Sequence, residues 1–218
     1  MITTILFIRH GVTDWNVAGR WQGHTDIPLN DDGRQQARKL ARRLEGWPIK
    51  AIYTSDLLRA QETAKLIAKK LKLTPIASAN FRERNGGIFQ GLTTEQLDSE
   101  YRDIWRQTRS DGSAPPDGES MLEVGKRAFS SYEKINSAHI GETVAIVSHG
   151  GTLNILISHL IGLPLGQPAS ISLRGNTGLS IVEINEAGPR LTLLNDVSHL
   201  SAGRKDVESG FSMLTSTE

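Results

Sequence analysis

The sequence contains no cysteine, which excludes disulfides, thiolate nucleophiles and thiolate metal ligands. It also lacks a strong charge of either sign, since its formal net charge is +1, and neither nucleic acid nor an anionic membrane is therefore expected as a partner. No apolar stretch approaches the roughly 18 residues that a membrane span requires. The first residues carry no basic leader and no small-residue cleavage site, which argues against a signal peptide. A cytoplasmic location is the resulting expectation.

Strand-like and helix-like segments alternate along the chain. Its 218 residues, 38% hydrophobic and 22% charged, suit one globular domain with a sizeable core. Apolar runs predict strands at residues 3–8, 51–54, 74–78 and 143–148, and late strands at 170–173, 179–184 and 191–194. Helical spacing of apolar residues predicts helices at 30–45, from a cap at Ser55 or Asp56 to about 71, and at 94–108, 119–137 and 152–161. This order predicts a three-layer α/β/α sandwich with a mostly parallel sheet and one antiparallel edge strand.

Residues 79–119 interrupt the alternation. The segment contains the clearest break in the chain, SDGSAPPDG at 110–118. We expect it to be a helical cap insertion that walls a substrate pocket over the strand ends, within a single domain of residues 1–200. Residues 201–218 are polar and without periodicity, which is typical of a flexible tail.

Two His-Gly pairs each follow a predicted buried strand. Arg9, His10 and Gly11 come directly after the apolar run 5–8, and His149-Gly150 comes after the run 144–147. Because ligands of open α/β sheets bind beyond the carboxyl ends of the strands, both histidines are expected at the binding edge. An arginine beside a histidine at such a place indicates a basic pocket for an anion, with phosphate as the first interpretation.

His10 is the candidate nucleophile, because a neutral imidazole can attack phosphorus and form a phosphohistidine. The alternative is a strand-end histidine that makes only local hydrogen bonds, and Arg9 and His149 argue against it. Gly11 removes a side chain where the backbone is expected to approach a ligand. Arg9, Arg59 and His149 are the candidates for holding the phosphate oxygens.

Arg59 and Asn16 each have a structural alternative. Arg59 lies near the start of the second long helix, where unpaired amides favour anions; its alternative is an ion pair with Glu62 on a solvated face. Asn16 offers its amide to a phosphate oxygen or to His10, and its alternative is a loop-capping role.

Glu83 is the candidate general acid for the leaving alkoxide. This role needs a protonated carboxyl group and hence a partly desolvated site. Arginines flank Glu83 on both sides, at 82 and 84, so the alternative is a surface charge cluster. The sequence has no HExxH spacing, no GxxxxGK[ST] loop and no GxGxxG after the first strand. We therefore expect side chains alone to carry the chemistry, with no metal and no other cofactor.

With these residues assembled, the chain resembles the histidine phosphatase superfamily, also called the phosphoglycerate mutase-like family. The similar motifs occur in family order between about residues 5 and 199, at 9–16 (RHGVTDWN), 22–29 (QGHTDIPL), 53–64 (YTSDLLRAQETA), 81–83 (FRE) and 147–151 (VSHGG). The resemblance implies phosphorylation of His10 and proton donation by Glu83. The remaining residues that it implies contact the phosphoryl group or the substrate: Arg9, Arg59, His149, Asn16 and Gly150, with Gln22 near the pocket and Arg84 in its wall.

The branch within this family is argued from the cap. Mutases of the family carry a longer cap with additional arginines, whereas the span from Gly91 to Gly118 is short here. We therefore favour a phosphatase acting on a small phosphorylated metabolite. Phosphoglycerate mutase is the alternative, and an inactive domain that binds phosphorylated ligands is a third. The substrate stays open among phosphoserine, sugar phosphates, nucleotides and ribazole phosphate. A homodimer is allowed, since dimers are common in the family.

Overall fold

Six strands form one sheet in this computed structural model, which describes residues 1–168 and 171–201. The strands are β1 (Thr3–Arg9), β2 (Ile49–Ser55), β3 (Ile76–Ser78), β4 (Thr143–Ser148), β5 (Leu179–Asn185) and β6 (Gly188–Asp196). The helices are α1 (Asp14–Val17), α2 (Asp31–Arg43), α3 (Leu58–Leu71), α4 (Thr94–Glu100), α5 (Arg102–Ser110), α6 (Met121–Ala138) and α7 (Gly150–Leu160). Short 3-10 turns lie at Ala79–Phe81, Gly87–Phe89 and Ser198–Leu200. None of the helices in the described part of the chain is long and apolar enough to span a bilayer.

The strand order β3-β2-β4-β1-β5-β6 confirms the fold class predicted from the sequence. The first four strands in this order pair in parallel. β5 runs antiparallel to β1, and β6 pairs antiparallel with β5, so the late strands form a hairpin edge. The register of β1 on β4 places Arg9 opposite Ser148. Consequently His10 and His149 leave the sheet side by side, at the carboxyl end of two neighbouring strands.

Helices cover both faces of the sheet because alternate strand residues point to opposite faces. On one face, Leu6 and Ile8 of β1 pack with α2 and α3. On the other face, Ile5 and Phe7 pack with α6 and α7. All four of these β1 side chains are fully buried. This arrangement is the predicted three-layer sandwich, and it explains why β1 reads as a continuous apolar run.

A third apolar cluster holds the inserted segment together. Its buried members are Phe89, Leu97 and Trp105. Trp21 packs edge-on against Trp105, with ring centroids 5.0 Å apart. The cap helices are therefore attached to the loop that follows β1 through aromatic contacts.

Three expectations about element boundaries were wrong: the helix at 94–108, the strand at 170–173 and the start of α3. The predicted helix 94–108 is two helices, since Tyr101 leaves the helical conformation and its ring packs against Phe89 at 6.3 Å. Residues 171–173 do not form a strand, and Ser170 lies outside the described residues. Their carbonyl groups accept side-chain hydrogen bonds instead, Ile171 from Asn154 and Leu173 from Arg9.

The start of α3 was also predicted incorrectly. Its N-cap is Leu57, which provides no side-chain cap, rather than Ser55 or Asp56. The amide of Leu58 donates instead to the Asp26 carboxylate at 2.7 Å. Because this capping group is distant in the sequence, no local sequence pattern could have predicted it. The predicted tail at 201–218 lies outside the described residues, except for Ser201.

Two backbone segments meet at Gly11, and this close packing requires a glycine. A Cβ on Gly11 would lie 2.6 Å from the carbonyl oxygen of Gly33 in α2. The Gly11 amide donates to Thr63 Oγ1 at 3.0 Å. The glycine therefore seats the end of β1 against α2 and α3, a packing role that the sequence analysis did not anticipate.

Gly11→Ala is expected to destabilise the protein by about 3 kcal/mol, because the new carbon meets backbone that cannot rotate away. Urea denaturation measures this change. Gly150→Ala is the control, since its added carbon first meets the Arg9 side chain at 3.3 Å. We expect this control to change the free energy of unfolding by less than about 1 kcal/mol. Equal stability of Gly11→Ala and the unmodified protein would contradict the packing argument.

Candidate active site

The ends of β1, β2 and β4 converge on one cavity of about 970 Å³. His10 and Arg9 reach it from β1, and Arg59 from the first turn of α3. The His10 and His149 ring centroids are 5.2 Å apart. The structure therefore brings together the residues that the sequence analysis placed at two separate strand ends.

His10 is a neutral imidazole with a defined tautomer. Its Nδ1 lies 2.7 Å from the Gly11 carbonyl oxygen, which can only accept, so Nδ1 carries the proton. Burial, then the charges of Arg59 and Arg9, lower the pKa of His10 well below its usual value, against a smaller opposing effect of the Gly11 hydrogen bond. Nε2 therefore keeps a free electron pair, which is the form required of a nucleophile.

His149 has the opposite tautomer. Arg59 Nε donates to His149 Nδ1 at 3.2 Å, so the proton of the neutral ring lies on Nε2. Burial, followed by the charge of Arg59, lowers the pKa of His149 well below its usual value. Nε2 is buried and has no hydrogen-bond partner within the described residues. This unsatisfied N–H is a donor available to a ligand oxygen.

Arg59 is a fully buried cation. Besides His149, its guanidinium donates to the carbonyl oxygens of Thr25 at 2.9 Å and Gly23 at 2.7 Å. Burial lowers its pKa to about 10, so it stays charged at neutral pH. Its contacts exclude the alternative of an ion pair with Glu62, whose carboxylate instead lies 3.5 Å from Arg34. The two carbonyl groups leave further N–H donors of Arg59 for an anion.

Arg9 is held in a similar way from the other side of the cavity. Its Nη1 donates to the carbonyl oxygens of Leu173 at 3.0 Å and Arg174 at 2.5 Å. Its Nε is buried with no partner among the described residues. Burial lowers the pKa of Arg9, and the charge of Glu83 opposes this effect. Two guanidiniums, that of Arg59 fully buried and that of Arg9 partly buried, have donors to spare and make this cavity suited to a doubly charged anion.

Glu83 lies at the N-terminus of α7 rather than in a surface charge cluster. Its Oε1 accepts from the amides of Arg84 at 2.9 Å and Thr152 at 3.0 Å, and its Oε2 accepts from the Gly151 amide at 3.0 Å. The neighbouring Arg82 points away and forms a two-point ion pair with Asp56. Among the described residues, Oε2 accepts this hydrogen bond alone, and Glu83 lines the cavity.

The other four predicted site residues all line the cavity, with different freedom to bind. Asn16 also forms a capping box with Thr13, as its capping alternative expected, and it remains a candidate for binding because it lines the cavity. Gln22 is 8% exposed, and its Oε1 lacks a partner within the described residues. Gly150 is the first residue of α7. Arg84 donates to the carbonyl groups of Glu119 and Ser113, which leaves one nitrogen of its guanidinium for a ligand.

Sequence reasoning missed the residues that hold the backbone of the site. The His10 carbonyl accepts from Asn176 Nδ2 at 3.0 Å and from the Thr177 amide at 3.2 Å. His199 lies behind this pair, with Nε2 2.9 Å from Thr177 Oγ1. No local sequence pattern marks these residues, because each lies far from His10 in the sequence and comes near it only in the folded chain.

Six arginines line the cavity, and Glu83 is the one acidic side chain on its described wall. Three of them, Arg20, Arg109 and Arg174, are exposed and surround the outer part of the cavity. In residues 1–168 and 171–201, no three histidine, aspartate or glutamate side chains are grouped to hold a metal ion. The cavity therefore carries a surplus of positive charge from side chains.

Comparison with known proteins gives matches over most of the chain. The model of the histidine phosphatase superfamily (branch 1) matches residues 5–197. A Yersinia pestis protein named "Probable phosphoglycerate mutase GpmB" is 37% identical over 186 residues, which are 84% of this chain and 86% of that protein. The structure of mycobacterial glucosyl-3-phosphoglycerate phosphatase is 28% identical with a TM-score of 0.81, covering 89% of this chain and 99% of that one. Phosphoserine phosphatase from Entamoeba histolytica, solved with phosphoserine, is 30% identical with a TM-score of 0.78, covering 91% and 100%.

The fold and the site define a protein that presents two histidines and two arginines at the carboxyl edge of a mostly parallel sheet. Together with the match over residues 5–197, this shows that the chain belongs to the histidine phosphatase superfamily, branch 1. The resemblance seen in the sequence is thereby confirmed. Members of this superfamily are phosphatases or mutases.

The two neutral tautomers are a testable property of the site. In ¹⁵N NMR spectra of histidine-labelled protein at neutral pH, we expect Nδ1–H for His10 and Nε2–H for His149. Both rings should stay neutral as the pH falls through the usual histidine pKa of about 6.5, because burial disfavours the charged form. Loss of one signal in His10→Ala and of another in His149→Ala gives the assignment. The same tautomer in both rings, or a charged ring at neutral pH, would contradict the hydrogen-bond assignment.

Proposed function

We propose that the protein is a phosphomonoesterase that hydrolyses small phosphorylated metabolites through a phosphohistidine on His10, without a metal. The observation that carries the proposal is the free Nε2 electron pair of a neutral, buried His10 beside the guanidiniums of Arg9 and Arg59. A buried cationic cavity favours a phosphate dianion, and the neutral ring supplies the nucleophile. Arg9, Arg59, His149, Asn16 and Gly150 are the residues proposed to contact the phosphoryl group.

In the first step, Nε2 of His10 attacks phosphorus and the bond from phosphorus to the ester oxygen breaks. The guanidiniums of Arg9 and Arg59 and the Nε2–H of His149 stabilise the charge on the phosphoryl oxygens. Glu83 gives its proton to the leaving oxygen, which departs as an alcohol. The Oε2 atom is the proposed donor, because Oε1 already accepts the Arg84 and Thr152 amides.

In the second step, water attacks the phosphohistidine. Glu83, now a carboxylate, takes a proton from this water, and the bond between phosphorus and Nε2 breaks. Phosphate leaves, and the neutral His10 and the protonated Glu83 are restored. The amides at the N-terminus of α7 hold the Glu83 carboxyl group in place through both steps.

Phosphoglycerate mutase is the second candidate, supported by the 37% identity to the Yersinia protein of that name and by the exposed arginines of the outer cavity. A mutase would transfer the phosphoryl group to an acceptor that is held in place, whereas a phosphatase admits water. We favour the phosphatase because the cap between Gly91 and Gly118 is short and because two similar structures are phosphatases. The inactive-domain alternative is disfavoured, since Arg9, His10, Arg59 and Glu83 all line the cavity and the His149 ring lies beside that of His10.

His10→Ala is expected to lower the rate of phosphate release from an aryl phosphate by roughly 10⁴-fold or more, because the covalent route is lost. Phosphate release is followed colorimetrically, and circular dichroism checks the fold. With 3-phosphoglycerate as substrate, the proposal expects free phosphate rather than the 2-isomer. Unchanged turnover by His10→Ala would overturn the mechanism, and formation of the 2-isomer in place of phosphate would identify a mutase.

Glu83→Gln is expected to slow the hydrolysis of an alkyl phosphate by about 100-fold or more, because its alkoxide cannot leave without a proton. For dinitrophenyl phosphate, whose leaving group needs no proton, kcat/KM should change by less than about threefold. Steady-state kcat/KM values for the two substrates measure this difference, because kcat/KM reports the first step, whereas the attack of water in the second step uses Glu83 for both substrates. Equal slowing of both substrates would refute the assignment of Glu83 as the acid.

A further inference from the structure

We propose that Arg127 is a positioning residue for the general acid, and that it acts by fixing the backbone on either side of Glu83. The proposal rests on the proposed function, because it takes Glu83 as the proton donor. Arg127 lies on α6 and does not line the described wall of the cavity. It therefore contacts neither substrate nor the reacting atoms, and its influence passes through Glu83.

The Arg127 guanidinium uses every one of its N–H donors. Nη1 donates to the carbonyl oxygens of Asn80 and Arg82, both at 2.8 Å. Nη2 donates to the Glu83 carbonyl at 2.9 Å and to Glu119 Oε2 at 2.9 Å, while Nε donates to Glu119 Oε1 at 2.9 Å. One planar group thus links three carbonyl groups of residues 80–83, here called the acid loop, to one carboxylate.

Other contacts complete the restraint on the same loop. The Glu83 carbonyl also lies 2.9 Å from His24 Nε2, and the Phe81 carbonyl accepts from Ser148 Oγ at 2.7 Å. The Arg82 carbonyl accepts a second bond from Thr152 Oγ1 at 2.7 Å. The carbonyl groups of residues 80–83 are thus all held by side chains. Among the described side chains, Arg127 alone contacts three of them, and it therefore sets their spacing.

Glu119 anchors the guanidinium to the cap. Its Oε2 also accepts from the Asn85 amide at 2.9 Å, and its carbonyl accepts from Arg84 Nε at 2.6 Å. The side chains of Arg127 and Glu119 are only 17% and 23% exposed, so solvent competes weakly for this two-point pair. Arg127 therefore ties the loop that carries the acid both to α6 and to the residue where the cap rejoins the sandwich.

The geometry of this contact requires arginine rather than positive charge alone. A lysine ammonium is a compact donor that cannot span three carbonyl groups and a carboxylate at once. Arg127→Lys therefore keeps the charge and removes the bridging. The expected result is a Glu83 carboxyl group that is displaced from the leaving oxygen, while His10 and the phosphate-binding groups stay in place.

The test compares kcat/KM for an alkyl phosphate with kcat/KM for dinitrophenyl phosphate, because kcat/KM reports the first step and the water attack of the second step uses Glu83 for both substrates. We expect Arg127→Lys to lower kcat/KM of the alkyl ester by about tenfold or more and that of dinitrophenyl phosphate by less than about threefold, because only the first needs the acid. The dissociation constant of inorganic phosphate should change little, because the phosphate-binding groups stay in place. In Glu83→Gln, the added Arg127→Lys change should cost no further alkyl phosphate activity, since both substitutions act through one step.

Arg43→Lys is the matched control. Arg43 is 24% exposed and pairs with Asp196, which is 23% exposed, away from the acid loop. It should show no difference between the two substrates. Should Arg127→Lys fold poorly by thermal denaturation, Glu119→Gln replaces it, and we expect the same substrate dependence with a smaller loss.

The outcomes separate the two proposals. Substrate-dependent slowing in Glu83→Gln but uniform slowing, or none, in Arg127→Lys would overturn the role of Arg127 and leave the proposed function intact. Uniform slowing in Glu83→Gln would refute the acid assignment, and the role of Arg127 would fall with it. Substrate-dependent slowing in both variants, without an added loss in the double variant, supports the proposal.

Discussion

A buried guanidinium must have its donors matched, because removing the charge from water is costly. Arg59 meets this requirement through the carbonyl groups of Gly23 and Thr25 and through His149. The remaining donors face a cavity in which Arg9 is held by carbonyl groups in the same manner. This placement of cations dictates much else. Together with burial, which is the larger effect, it keeps both histidines neutral, and it leaves a desolvated positive centre that an anion can complete.

The parallel sheet supplies the geometry for this centre. Since β1 and β4 are adjacent and in register, the rings of the residues that follow them, His10 and His149, lie next to each other. The helix that follows β4 then presents its first amides toward the cavity. Two of these amides bind Glu83, an internal anion, so the acid lies beside the proposed phosphate site. A single strand pair thus organises both the nucleophile and the acid.

Much of the site could be predicted because its functional groups lie in short sequence motifs. His10, His149 and Arg59 each follow a strand, and strand ends are readable from apolar runs. The alternatives for Arg59 and Glu83 could not be rejected in the same way. Rejecting them required knowing that Glu62 faces Arg34 and that Arg82 faces Asp56. These ion pairs join different elements, and no local pattern encodes them.

The sequence by itself determined the order of strands and helices, the apolar faces and the residues at the strand ends, because these follow from periodicity and residue type. Only the tertiary structure decided the tautomers of the two histidines, since each depends on a particular acceptor or donor. It also decided the role of residues such as Arg127, whose acceptors lie 44 to 47 positions away in the acid loop. Hydrogen bonds of this range depend on where the chain folds back, which local sequence cannot specify.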